Sequence, residues 1–286
     1  MQPIAIAGPG AADLAAALTD RLDGRTAVVN CADGECGPLG GADASDETTD
    51  GGVAVESPTG RTDADTEVAL AAGGEWTGRG RVGGLDDLLD GFAPDHDYLV
   101  AVGDSRLRVP TVLLGGNADP EDVPGTVIAT VDAPEGVDLD RLVADLDAAE
   151  PWITRETLVR RVEGSADADR AGAVATFTGR VRARDAPDDD RTTHLAFEKY
   201  EGVAAERMDA IAAELTERDG VFDVRMHHRT GVIEAGEDIV FVVVLAGHRA
   251  EAFRTVEDGI DRLKDEVPIF KKETTEAEEF WVHRRD

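Results

Sequence analysis

The spacing of apolar residues changes along this chain, and that change predicts its elements. In the second half, Ile239–Ala246 is an unbroken aliphatic run rich in β-branched residues and predicts a strand. Ala250–Glu266 places Phe253, Val256, Ile260 and Leu263 near helical spacing and predicts an amphipathic helix. That helix must stop before Pro268, because proline disfavours helical geometry in the residue ahead of it. Thr154–Val162 and Gly202–Arg218 are also expected to be helical, with Val203, Met208, Ile211, Ala212 and Leu215 as the apolar face of the second. Strands are expected at Ala171–Val181, His194–Tyr200, Val224–His228, Ile269–Lys272 and Phe280–Val282. Arg184–Thr193 reads as a polar loop and Thr230–Gly236 as a turn-rich connection.

The first half has a different rhythm. Short apolar strands are expected at Pro3–Ala7, Thr26–Asn30, Tyr98–Val102, Thr111–Leu114 and Thr126–Val131, with helices at Ala11–Leu22 and Asp138–Ala149. From Asp33 to about Asp65 the chain is rich in Gly, Asp, Ser and Thr and reads as a long loop. Strands alternating with helices imply a largely parallel sheet. The predicted fold class is therefore α/β, with a P-loop-like α/β domain of mostly parallel sheet over residues 1–150 and an α+β domain over 151–286.

Charge sharpens the division. The 286 residues carry a net charge of -31, yet 42% are hydrophobic, which is enough for packed cores. Residues 1–150 hold 30 acidic and 8 basic residues, while 151–286 hold 30 and 21. An anion would therefore be handled by the second half. Only Lys199, Lys264, Lys271 and Lys272 are lysines among the 29 basic residues. Abundant Asp and Glu with scarce Lys is a composition suited to high salt. A nucleic-acid duplex would be repelled by it.

Cys31 and Cys36 are too few to build a structural zinc site and read as ordinary thiols of a reducing compartment. The first ten residues lack a basic segment followed by a long apolar run, and no stretch approaches the ~20 apolar residues of a membrane span. The expected location is the cytoplasm.

Four groups of residues carry candidate chemistry. Gly8-Pro9-Gly10 lies between a strand and a helix, where phosphate-binding loops occur, but the lysine that such a loop needs is missing. Ala246-Gly247-His248-Arg249 sets two basic residues at a helix start, an arrangement that disfavours the helix unless an anion sits there. The alternative is a solvated pair in a loop. Lys264, Lys271 and Lys272 keep lysine where arginine is otherwise used, as expected where a compact amine must exchange a proton or act as a nucleophile. Lys264 has the plainer reading of a helix C-terminal charge, whereas Lys271 follows Pro268-Ile269-Phe270 and should be partly buried. Arg180 and Arg182 should share one face of a strand, against an anion or simply in solvent.

The order of elements in the first half, with the strands at Asp97–Gly103 and Val109–Leu114, resembles the MobB family of GTP-binding adaptors in molybdenum-cofactor guanylylation. The second half resembles the large subunit of molybdopterin synthase, the MoaE family. The stretches that carry this resemblance are Gly172–Arg182, Phe197–Tyr200, His228–Glu237, Gly247–Phe253, Lys264–Glu273 and Phe280–Val282, in that order.

That resemblance implies an α/β hammerhead fold and a homodimer within a heterotetramer. Its partner would be a small ubiquitin-like sulfur-carrier subunit with a C-terminal Gly-Gly thiocarboxylate. The implied substrate is cyclic pyranopterin monophosphate, converted to molybdopterin without metal or cofactor. Carried over by motif, Lys264 and Lys271 are the catalytic lysines. Arg182, His248 and Arg249 hold the pterin phosphate, Phe177 lines the pocket, and Arg285 matches a further arginine. The competing expectation is a non-catalytic adaptor that binds molybdopterin or a nucleotide.

Overall fold

The computed structural model describes residues 1–31, 65–103, 108–116, 119–184, 186–199, 202–275 and 279–282. The chain forms two compact units, Met1–Trp152 and Ile153–Asp286. No described helix is long and apolar enough to cross a membrane. The expected loop at Asp33–Asp65 lies almost wholly outside the described residues, as do Cys36 and Arg285.

In the first unit, β1 (Gln2–Ala7), β2 (Thr26–Asn30), β5 (Tyr98–Val102), β6 (Thr111–Leu114) and β7 (Val127–Val131) form a sheet of order β2-β5-β1-β6-β7. Every pairing in it is parallel, as the alternation of strand and helix implied. Its central strands are buried on both faces. Ile4, Ile6, Val100 and Val102 pack with residues of α1 (Ala11–Thr19) and α3 (Leu139–Ala148), whereas Ala5, Leu99 and Ala101 pack with α2 (Leu85–Phe92). Side chains alternate across a strand, so a strand covered on both sides must be apolar throughout.

Neither α2 nor the hairpin of β3 (Glu67–Leu70) and β4 (Trp76–Arg79) was expected from the sequence. The hairpin leaves Leu70 and Trp76 exposed, so it lacks the apolar-in, polar-out alternation that marks a half-buried strand. Cys31 is disulfide-bonded, which corrects the expectation of a free thiol. Gly8 and Gly10 adopt φ of 107° and 84° in the turn from β1 to α1. A Cβ on Gly8 would lie 2.1 Å from the Leu114 carbonyl oxygen, so glycine is required there by the close approach of β6.

The second unit opens with α4 (Arg155–Glu163), whose first turn is capped by the Thr154 hydroxyl accepting from the Thr157 amide at 3.1 Å. β10 (Val221–His228), β12 (Asp238–Ala246) and β8 (Ala173–Arg180) then form an antiparallel sheet in that order. β12 explains its own composition. Val240, Val242, Val244 and Ala246 face a core built with α5 (Val203–Thr216) and α6 (Arg249–Glu266), while Phe241, Val243 and Leu245 face α4.

A second antiparallel sheet runs β11 (Gly231–Glu234), β9 (Thr192–Lys199), β13 (Ile269–Thr275), β14 (Glu279–Val282). Two expectations are corrected here. The connection at Thr230–Gly236 contains a strand, β11, because Ile233 is buried with Val181, Leu195 and Phe197 and holds four residues in register with β9. Phe253 is 67% exposed rather than part of the buried face of α6. The buried stripe centres on Ala252, Val256, Gly259 and Leu263, and a helical residue advances about 100° per position, which leaves Phe253 at its edge in the first turn.

Candidate active site

Where the two sheets of the second unit meet the C-terminal end of α6, a cavity of about 640 Å³ opens. Its position follows from three chain breaks. β8 ends at Arg180 and Val181 turns inward, 2% exposed, so Arg180 and Arg182 both reach the cavity, one from the strand end and one from the segment after it. α6 ends at Glu266, leaving Lys264 in its last turn. The chain then passes Pro268 and re-emerges as β13. Alternation along β13 points Ile269, Lys271 and Glu273 into the cavity. Lys272 is on the other face, its Nζ 5.8 Å from the centre of the Trp281 ring.

Four of the sequence-predicted residues, Phe177, Arg182, Lys264 and Lys271, therefore share one cavity. The Lys264 ammonium lies 6.0 Å from the centroid of the Phe177 ring, near the outer limit for attraction between a cation and an aromatic face. The Lys271 side chain is 36% exposed, which matches the partial burial expected of it. Arg180 pairs with Asp238 at 3.0 Å and also donates to the Gly236 carbonyl.

His248 and Arg249 are not in this cavity. His248 is the N-cap of α6 and Arg249 its first residue, and the helix runs 18 residues without interruption. Glu251 supplies a negative charge in the first turn, which offsets the cost of basic residues at that end. Arg249 is separated from Lys264 by roughly 22 Å of helix at ~1.5 Å per residue. Arg285 lies outside the described residues.

The cavity also contains residues to which sequence reasoning gave no role. His228, at the end of β10, is 6% exposed, with Nδ1 2.7 Å from the Arg229 carbonyl and its ring edge-on to Phe197 at 4.9 Å. Glu273 accepts a hydrogen bond from the Thr192 hydroxyl at 2.5 Å and lies 3.9 Å from Lys271. A histidine closing an apolar strand was the available signal for His228. Nothing local marked Glu273, since Thr192 is 81 positions away.

Chemically the cavity offers four cationic groups, a carboxylate, an imidazole and an apolar wall that includes Phe177, Leu263 and Ile269. Such a site favours an anion with a planar or apolar portion. Its two amines can stabilise negative charge that develops during a reaction. Among the described residues, no group of three or more His, Cys, Asp or Glu side chains is placed to hold a metal ion.

Comparison with known proteins agrees with this chemistry. The MoaE protein family matches residues 149–266. A probable molybdopterin synthase of Haloferax volcanii is 50% identical over 285 residues and aligns along the whole of both chains. The molybdopterin synthase catalytic subunit of Bacillus subtilis is 36% identical over 130 residues, spanning 46% of this chain and 79% of that one. Among solved structures, the molybdopterin biosynthesis MoaE protein of Burkholderia ambifaria is 34% identical, with 47% of this chain and 85% of that one covered and a TM-score of 0.39. With half of all residues identical along an entire relative, and the MoaE match covering the cavity's lining as far as Lys264, the chain belongs to the molybdopterin synthase family, with a MoaE domain in its second half.

Proposed function

We propose that the cavity of the second unit transfers sulfur from the thiocarboxylated Gly-Gly tail of a small carrier protein to cyclic pyranopterin monophosphate, forming the dithiolene of molybdopterin. The observation that supports this reading best is the convergence of Lys264, Lys271, Arg182 and Phe177 in one cavity of about 640 Å³. The thiocarboxylate sulfur attacks a substrate carbon and forms a carbon–sulfur bond as a carbon–oxygen bond at that carbon breaks, its oxygen leaving as water or with the phosphate, and a second carrier delivers the second sulfur in the same way. Water then cleaves the acyl–sulfur bond and the carrier leaves as a carboxylate. Both steps concentrate negative charge, which lysine amines stabilise, and a partly desolvated lysine can also exchange a proton with water or the leaving group.

The active unit is a homodimer whose two sites are shared. Side chains of ~6 Å cannot bring Arg249 and Lys264 of one chain around a single pterin across ~22 Å of helix. Lys264, Lys271 and Arg182 of one protomer would act with His248 and Arg249 of its partner. Residues 1–150 form a separate P-loop-like domain that sulfur transfer does not require.

The test is reconstitution. The full chain, mixed with a thiocarboxylated carrier and cyclic pyranopterin monophosphate, should release molybdopterin. A folded chain that binds the carrier and forms no product would refute the proposal.

A further inference from the structure

We propose that Glu266 is a positioning residue for sulfur transfer: held by Arg207 and Arg262, it fixes the last turn of α6 and so sets where the Lys264 amine stands in the cavity. The inference rests on the sulfur-transfer reading above and deepens it with a residue that is not part of the cavity wall.

Glu266 is the last residue of α6, where the helix dipole is negative and a carboxylate is disfavoured. Two arginines offset that cost. Oε1 accepts from Nε of Arg262 at 2.7 Å, and Oε2 accepts from Nη2 of Arg262 at 3.3 Å and from Arg207. The same two arginines reach Glu214, Arg262 at 2.6 Å and Arg207 at 3.8 Å. Arg207 and Glu214 stand on α5, Arg262 and Glu266 on α6. The four side chains therefore close a ring of alternating charge that ties one helix to the other. Isolated ion pairs near a surface contribute little, but a network with a forked arginine–carboxylate contact holds its geometry.

This ring sits behind Lys264. Residues 264 and 266 are roughly 200° apart around a helix, so Lys264 faces the cavity while Glu266 faces α5. Leu263 and Val267 belong to the helix side of the cavity wall, and Pro268 follows. The Val267 amide donates to the Leu263 carbonyl at 3.1 Å and the Ile269 amide to the Val267 carbonyl at 2.9 Å. Pro268 has no N–H to donate, so the join between α6 and β13 gains little from backbone hydrogen bonds. A roll of the last turn by about 10° would move a side-chain end ~6 Å from the helix axis by about 1 Å. Misplacement on that scale costs up to about 100-fold in rate.

A second tie to the same helix supplies the control. Arg218, two residues after α5, pairs with Asp258 of α6 at 2.6 Å. Asp258 lies eight residues before Glu266, roughly 12 Å back along the helix. Breaking that pair loosens α6 without touching its last turn.

The experiment compares three variants of the full chain with thiocarboxylated carrier in excess, each checked for folding by circular dichroism at the assay temperature. Glu266→Ala should lower kcat by roughly 10-fold and leave KM for cyclic pyranopterin monophosphate within about twofold. Asp258→Ala should leave both near wild type. Glu266→Gln, whose amide oxygen still accepts from an arginine, should keep kcat within about threefold of wild type.

A Glu266→Ala variant with wild-type kcat would overturn the inference, as would a loss carried by KM instead, an equal loss in Asp258→Ala, or a Gln variant no faster than the Ala variant. A wild-type chain that forms no product would instead bring down the sulfur-transfer reading, and this assignment with it.

Discussion

Lys271 and Glu273 stand two residues apart on one strand, with the ammonium nitrogen 3.9 Å from the carboxylate oxygen, and both face the same cavity. Lys271→Ala should lower sulfur transfer by roughly 100-fold or more while leaving the fold intact, since a charge-stabilising group in a water-poor site carries that order of effect. Lys271→Arg should fail as well, because a planar, permanently charged guanidinium does not replace a compact amine. Molybdopterin formation with thiocarboxylated carrier measures both. A rate near wild type in the Ala variant would remove Lys271 from the reaction.

The proposed sharing of each site between two protomers makes a separate prediction. Lys271→Ala and Arg249→Ala should each be inactive alone. Mixed and allowed to exchange subunits, they should regain activity, because each mixed dimer has one site carrying both substitutions and one intact. Recovery towards half of wild-type activity in those dimers is the expected value. If mixed dimers form and activity stays absent, the two ends of α6 do not serve one substrate.

The second unit should work alone. Trp152 belongs physically to the first unit, since its amide donates to the Met1 carbonyl at 2.8 Å and its indole nitrogen to Asp90 at 2.8 Å. A fragment beginning at Ile153 leaves those partnerships behind cleanly and should keep most of the sulfur-transfer activity. Folding by circular dichroism and product formation together are the check, with a folded but inactive fragment as the contrary result.

Gly8→Ala should destabilise the first unit by about 2–4 kcal/mol, combining a left-handed backbone with backbone overlap. The contact is with the Leu114 carbonyl oxygen at 2.1 Å, which has no flexible end to move aside. Urea unfolding measures the loss. Sulfur transfer under native conditions should change little, because the cavity lies wholly within the second unit.

Tyr98 gives a pH-dependent prediction. Burial, and then its 2.9 Å hydrogen bond to the Asp147 carboxylate, hold its phenol above the ordinary value of 10.0. A raised folded value means that its stabilisation is fully present below the unfolded value and is lost as pH climbs through the folded one. Tyr98→Phe should therefore cost about 0.5–1 kcal/mol near neutrality, as one surface-proximal hydrogen bond would. The variant should also lack the part of the alkaline decline in stability that Tyr98 causes. Thermal unfolding between neutral pH and pH 11 or so tests this, and parallel curves for the two proteins would contradict it.

The sequence was most informative where one residue's surroundings determine its neighbours' types. The double-sided burial of β12 shows directly as Ile239–Ala246, and the rarity of lysine singled out Lys264 and Lys271. Legibility ended where partners are distant in the chain. β11 is a strand only because Ile233 meets Leu195 and Phe197, and Gly231 with φ of 83° looks locally like a turn. Lys272 resembled Lys271 until pairing with β14 showed which face each occupies. Glu273 meets Thr192 only once β9 and β13 pair, and it shares the cavity with His228 of β10 only after both sheets have formed.

A ring of cations set in a chain of net charge -31 has a consequence for association in brine. Far from the mouth, an anion feels the net charge of the chain and is repelled; within a few ångströms it feels the arginines and lysines and is drawn in. Dissolved salt acts on these two ranges unequally, because at about 1 M the screening length shrinks to ~3 Å. The distant repulsion is erased while the near attraction largely survives. Substrate capture should therefore accelerate as salt is added, opposite to the behaviour of an enzyme that steers its anion in with a positive surface.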